Sequence, residues 1–167
     1  LVSENPTPSE LMLEIERAEQ RRNEAQRVVQ TDLDYIYDTN PEQFNRNLSS
    51  LLDRIKSLNI RTVYLQAFAD PDADGTASAL YFPNRHLPVR ADIFNRVAWQ
   101  LKTRAGVRVY AWLPLLSFDL KDPQQQQRLA VQVKTEQGLK PSWHDYRRLS
   151  PFLPEAMQIV GDIYADL

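Results

Sequence analysis

Two short apolar runs constrain the fold of this chain more than any other feature. They are Val63-Tyr64-Leu65-Gln66-Ala67-Phe68-Ala69-Asp70 and Arg108-Val109-Tyr110-Ala111-Trp112-Leu113-Pro114. Each follows a stretch with helical spacing, and each ends in polar or aromatic residues. A third run, Val28-Val29-Gln30-Thr31-Asp32-Leu33-Asp34-Tyr35-Ile36-Tyr37, has the same character. Buried strands that alternate with helices and carry polar residues at their C-terminal ends are the pattern of a (β/α)8 barrel of TIM type, with chemistry at that end. About three such units are visible, and a barrel needs eight. The expectation is therefore the front part of a catalytic domain. A flavodoxin-like open sheet has the same element order, but no glycine-rich phosphate loop follows the first strand.

The helices can be placed between these runs. Residues 1–8 are polar and proline-rich and read as a linker. Thr7-Pro8-Ser9-Glu10 has the form of a capping box, with Thr7 as N-cap, Pro8 at the first helical position and Glu10 reaching back. Residues 9–26 then carry only a thin apolar stripe of Leu11, Ile15, Ala18 and Ala25, which predicts a solvated helix. The first strand spans about Val28–Tyr37. Asn40-Pro41-Glu42-Gln43 repeats the N-cap and proline signal. Phe44, Leu48, Leu51, Leu52, Ile55 and Leu58 follow with the spacing of one helix face. Asn59 ends that helix, and the second strand covers Thr62–Phe68. A long loop over 70–90 follows. The next helix spans about Asp92–Arg104, with Ile93, Phe94, Val97, Ala98 and Leu101 inward and Trp99 in the core. Gly106 is placed just past its end. The third strand is Arg108–Leu113, followed by a polar excursion over 117–150. A last helix, about Pro154–Asp166, buries Met157, Val160, Ile163 and Leu167.

Composition removes several function classes. A net charge of −2 offers no basic face for nucleic acid. Apolar content of 43% and charged content of 25% fit a folded globular chain. No apolar run reaches the length of a membrane span. Cysteine is absent, which excludes disulfides, thiolate catalysis and cysteine metal sites. His86 and His144 are the only histidines and have no ligand pattern near them, so no zinc site and no cofactor is expected. The chain starts at Leu1 without an initiating Met, which points to residues upstream.

Acidic and aromatic residues carry the candidate chemistry. Asp32 and Asp34 share one face if the first strand runs through both, because strand side chains alternate. Two inward carboxylates at a barrel mouth serve acid–base work or bind a sugar amine; partnering Arg or Lys is the structural alternative. Asp70-Pro71-Asp72-Ala73-Asp74-Gly75 resembles the start of a calcium loop. However, Tyr81 stands where an EF-hand needs its bidentate Glu, and Pro71 fits that loop badly. A solvated aspartate turn, or an acidic rim that attracts a cationic ligand, remains. Trp112, Tyr110, Tyr81, Trp143 and Tyr146 lie near strand ends or in long loops, where exposed rings suit the apolar faces of sugars. Core packing is the other reading of Tyr110 and Trp112.

A wider resemblance runs through the same residues. Leu33-Asp34-Tyr35-Ile36-Tyr37-Asp38, Thr62 to Asp72, Phe82-Pro83-Asn84-Arg85, Ala91-Asp92-Ile93-Phe94, Arg96 to Leu101, Val109-Tyr110-Ala111-Trp112 and Tyr146 to Phe152 occur in that order. Together they resemble the C-terminal glycoside hydrolase domain of the poly-β-1,6-N-acetyl-D-glucosamine N-deacetylases of biofilm exopolysaccharide export. The resemblance covers about residues 27–167 and makes residues 1–26 an interdomain linker. It implies a (β/α)8 barrel acting on partially de-N-acetylated poly-β-1,6-N-acetylglucosamine. It also implies an N-terminal deacetylase domain in the full-length protein, a periplasmic, outer-membrane-associated location and an export pore as partner. The family's acidic cluster would follow Leu167, so the catalytic residues are expected beyond this sequence. Tyr146 matches a sugar-contacting tyrosine. Asp34, Asp70, Asp72, Trp112 and Arg85 complete the expected carbohydrate-binding set. A non-catalytic module that guides polysaccharide to the pore is the alternative.

Overall fold

A computed structural model describes residues 7–24, 27–142 and 147–167. Helix α1 (Pro8–Glu24) begins at the capping box. Glu10 Oε2 accepts from the Thr7 amide and hydroxyl, each at 2.7 Å, and Thr7 Oγ1 accepts from the Glu10 amide at 3.4 Å. Leu11, Met12, Leu13 and Ile15 remain exposed on it, as expected of a solvated helix.

The central layer is a three-stranded parallel sheet of β1 (Val28–Asp32), β2 (Thr62–Gln66) and β5 (Arg108–Trp112), in the order β1-β2-β5. Helix α2 (Pro41–Ser57) connects β1 to β2, and α3 (Phe94–Arg104) connects β2 to β5. These are the parallel crossovers that β-α-β alternation demands. Asn40 caps α2, its Oδ1 accepting from the Glu42 amide at 2.9 Å. Phe44, Leu48, Leu52 and Ile55 then turn one apolar stripe to the sheet. On α3 the buried stripe is Phe94, Val97 and Leu101. Arg96 ties the two helices, with its guanidinium 2.7 Å from Asn45 Oδ1 and 5.1 Å from the Phe44 ring centre.

The two faces of the sheet differ sharply. Val63 and Leu65, on the helix side, are fully buried. Tyr64 lies between them on the other side, 44% exposed, and stacks on its register partner Tyr110, 49% exposed, with ring centres 5.5 Å apart. Among the described residues β1 and β5 each keep a free edge, so the sheet is open and does not close into a barrel.

Three expectations are corrected here. The first strand stops at Asp32, because Asp32 Oδ1 accepts the Asp34 amide at 2.8 Å and folds Leu33–Tyr35 into a 3₁₀ turn. Trp99 is 60% exposed, since the buried stripe of α3 passes on the other side of the helix. Met157 is exposed, and Ala156, Ile159, Val160 and Ile163 form the buried face of α5 (Pro154–Asp166).

The two long loops hold structure of their own. In the first, β3 (Phe68–Ala69) pairs antiparallel with β4 (Ala79–Leu80). The second contains α4 (Pro123–Leu129) and a hairpin of β6 (Gln132–Thr135) and β7 (Gly138–Pro141). A parallel bridge between Ala77 and Phe118 joins the loops.

Substitutions should separate the real core from the expected one. Leu52→Ala removes a fully buried side chain and should lower stability by about 2–5 kcal/mol in urea unfolding. Trp99→Ala should cost about 0.5 kcal/mol or less, as at other exposed positions.

Candidate functional site

The C-terminal ends of β1 and β2 bring three aspartates together. Asp32 ends β1, Asp34 lies in the turn beyond it, and Asp70 follows β3. Asp34 Oδ2 accepts from the Asp70 amide at 3.2 Å, which joins the two strand ends. Asp34 Oδ1 accepts the Tyr81 hydroxyl and lies 3.5 Å from Arg90 Nε. The Arg90 guanidinium also sits 5.4 Å from the centre of the Tyr37 ring, which in turn packs against Tyr81. Both oxygens of Asp34 are thus committed to protein donors.

The sequence places Tyr81 among the exposed rings that suit sugars. It is fully buried instead. Its surroundings explain the difference. The Tyr81 amide donates to the Ala67 carbonyl at 2.9 Å, and its carbonyl accepts from the Ile93 and Phe94 amides at the start of α3. Burial and the hydrogen bond to Asp34 push its phenol well above the usual range. It is therefore a neutral donor at any physiological pH.

Asp32 differs from both neighbours. Among the described residues, its one accepted hydrogen bond is from the Asp34 amide. Partial burial raises its carboxyl above the usual aspartate range; that hydrogen bond opposes the shift, and the charges of Asp34 and Asp70 add to it. Across the sheet, Asp32 registers with Gln66 and Gln66 with Trp112. Gln66 is buried and donates to the Phe68 carbonyl at 3.2 Å. Trp112 is 36% exposed and meets Phe68 edge-on at 5.3 Å. A cavity of about 580 Å³ follows the free edge of β1, lined by Gln30, Asp32 and Gln66 of the sheet and by Asn47, Leu51 and Arg54 of α2.

The other expected residues are more scattered. Asp70 organises its own turn, accepting from the Asp74 amide at 3.0 Å and the Gly75 amide at 2.9 Å. Its carboxylate is a turn clamp, and among the described residues no group of His, Asp and Glu is arranged to hold a metal ion. Asp72 is exposed at the tip of that turn. Arg85 faces α5, pairing with Asp166 at 2.9 Å and lying 3.6 Å from Asp162. Tyr146, with Trp143 and His144, lies outside the described residues. Gln66 and Asp32 are absent from the carbohydrate-binding set that the sequence predicts, which includes Asp34. The signal for Gln66 was a lone amide at the C-terminal end of an apolar strand.

Ion pairs fasten the surrounding loops to α5. His86 Nε2 lies 3.0 Å from Asp162 Oδ2, and this contact, followed by Gln158 and Arg85, holds the Asp162 carboxyl below its usual range. Arg85 does the same for Asp166. From α4, Arg128 reaches Glu155 with its Nη2 at 2.8 Å and draws that carboxyl down to about 2, helped by Gln125.

The model of hypothetical glycosyl hydrolase family 13 matches residues 30–167. The poly-β-1,6-N-acetyl-D-glucosamine N-deacetylases of Escherichia coli K12 and O157:H7 are each 44% identical over the whole chain. The chain spans about a quarter of those relatives, 24% of their length. Among solved structures, the PgaB (BpsB) glycoside hydrolase domain from Bordetella bronchiseptica is 55% identical, with a TM-score of 0.73 over 84% of this chain and 40% of that one.

Two measurements test the scaffold of the site. Tyr81→Phe removes a donor to a carboxylate and should cost about 1.5–3 kcal/mol in stability. Glu155, Asp162 and Asp166 have folded-state pKa values below their unfolded ones. Their contribution is complete above the ordinary carboxylate range and is lost as pH falls through it towards about 2 for Glu155. Thermal melts of Glu155→Gln should therefore approach those of the native chain as the acid is strengthened and fall below them at neutral pH.

Proposed function

The chain belongs to hypothetical glycosyl hydrolase family 13, and from that premise we propose that it is part of a domain that binds and cleaves partly de-N-acetylated poly-β-1,6-N-acetylglucosamine. The observation that carries this reading is the acidic mouth at the ends of β1 and β2, where Asp32, Asp34 and Asp70 converge beside the half-exposed ring of Trp112. Deacetylation of such a polymer uncovers ammonium groups, and carboxylates with an adjacent indole complement both the amine and the apolar face of the ring. Open strand edges at β1 and β5 and a free inner face support closure by further β/α units into a (β/α)8 barrel. Residues 1–26 serve in this reading as the linker from a deacetylase domain, and Tyr146 supplies a second stacking ring. Asp72 and Arg85 sit on the rim. The setting is the periplasm, with delivery to an outer-membrane pore.

Cleavage of a glycosidic bond needs a carboxyl pair, about 5–5.5 Å apart for retention or 6.5–9.5 Å apart for inversion. Asp34 and Asp70 spend their oxygens on protein donors. The family resemblance implies an acidic cluster beyond Leu167 as the source of the acid and base, and in this reading the mouth described above binds. That same observation favours a second reading, in which the module only guides polymer towards export.

Binding and product release decide between the two. In the complete domain, Tyr146→Ala should weaken oligosaccharide binding by about 1 kcal/mol or more and slow turnover without abolishing it. A native domain that binds partly deacetylated oligomers yet releases no shorter ones would leave the guiding module as the function.

A further inference from the structure

The three aspartates of the mouth are unequal, and the difference lies in where their lone pairs go. Asp34 gives its oxygens to Tyr81, Arg90 and the Asp70 amide. Asp70 gives one oxygen to the Asp74 amide and the other to the Gly75 amide. Asp32 accepts from the Asp34 amide through Oδ1, and among the described residues nothing donates to Oδ2. Asp32 is also the member that belongs to a strand. Register fixes it in one row with Gln66 and Trp112 on the face opposite the helices, at the C-terminal ends of all three strands. The row spans two strand spacings, about 10 Å, from carboxylate to indole.

Resting on the proposed polysaccharide function, we infer that Asp32 is the residue that reads the free amine of a glucosamine unit, while Trp112 at the other end of the row holds a sugar ring without regard to its acetylation. An ammonium group donates to Oδ2 and brings a positive charge to a carboxylate flanked by two others. An acetamido group brings neither the charge nor a small donor, and its methyl group faces the same acid. The indole stacks on C–H bonds common to both sugars. Gln66 is anchored to the Phe68 carbonyl and sets the floor between the two ends. The energetic setting agrees, because partial burial and two like charges disfavour the charged form of Asp32, a cost that a bound cation relieves. Arg90, whose charge also acts on Asp32, is occupied with Asp34 and Tyr37.

The test uses the full-length protein with β-1,6-linked glucosamine oligomers and their fully N-acetylated counterparts, measured by calorimetry at neutral pH. Any deacetylase domain is silenced by a chelator. Asp32→Asn should reduce affinity for the glucosamine oligomer about tenfold or more, the scale of a lost charge-assisted hydrogen bond, and leave the acetylated oligomer within about twofold. Trp112→Ala should weaken both oligomers alike. Asp32→Asn should melt at or above the native temperature, since it removes a like charge, so lost folding does not explain lost binding. An equal loss for both oligomers, or no loss for either, overturns the assignment while the polysaccharide reading stands. A native protein that binds neither oligomer overturns that reading and this inference with it.

Discussion

The hydrogen bond from Tyr81 to Asp34 is the contact through which the rest of the mouth is assembled. Tyr81 is buried against the end of β2, its amide pairs with Ala67, and its carbonyl receives the first amides of α3. No side chain caps α3, so this carbonyl contact is what the start of the helix gains in place of an N-cap. The phenol then reaches a carboxylate on the turn after β1. One residue thus couples the entry of a helix, the end of a strand and the position of an acid. Desolvation makes the coupling stiff, because a phenol with no access to water loses its donor's only partner if Asp34 moves.

The loop that carries Tyr81 is closed by its own backbone. Arg90 donates to the Leu80 carbonyl and Leu80 to the Pro88 carbonyl, which returns Arg90 beside Tyr81 and aims both at Asp34. The tip between them is fastened to α5 through Arg85 and His86. The Arg85 pairs lie at the surface and the His86 pair is partly buried, and a surface pair contributes little alone. Their role is to hold a loop whose useful end is elsewhere. The loop is thus held at α5 by its tip while its end carries Arg90 to Asp34.

Much of this fold is legible in the sequence because local signals and burial agree. Thr7 and Asn40 cap the helices their residue types announce. The strand runs pair in parallel as β-α-β alternation requires. Legibility ends where a residue's surroundings come from distant segments. Trp99 fits a helical stripe, yet whether that side of α3 is covered depends on what packs there. Tyr81 looks like a loop aromatic until the loop folds back on β2. The paired placement of Asp32 and Asp34 failed for a local reason: an aspartate at a strand end competes for the backbone two residues on and turns the chain.

That turn also bears on how acids in such a mouth are to be read. Two of the three carboxylates have become structural, spending their charge on amides, a phenol and a guanidinium that the fold supplies. Removing Asp34 leaves the partly buried Tyr81 hydroxyl and Asp70 amide unsatisfied, and removing Asp70 frees the exposed turn amides of Asp74 and Gly75, so loss of function at either says little about contact with sugar. Asp32 keeps an uncommitted oxygen, and partial burial, followed by its like-charged neighbours, makes its charge costly to the fold. A residue whose charge is a cost to the scaffold, at the C-terminal end of a strand and in line with a half-exposed indole, has a place in the structure that stability alone does not explain. The distinction between acids that build the mouth and the acid that faces out of it rests on lone pairs, and a count of aspartates would miss it.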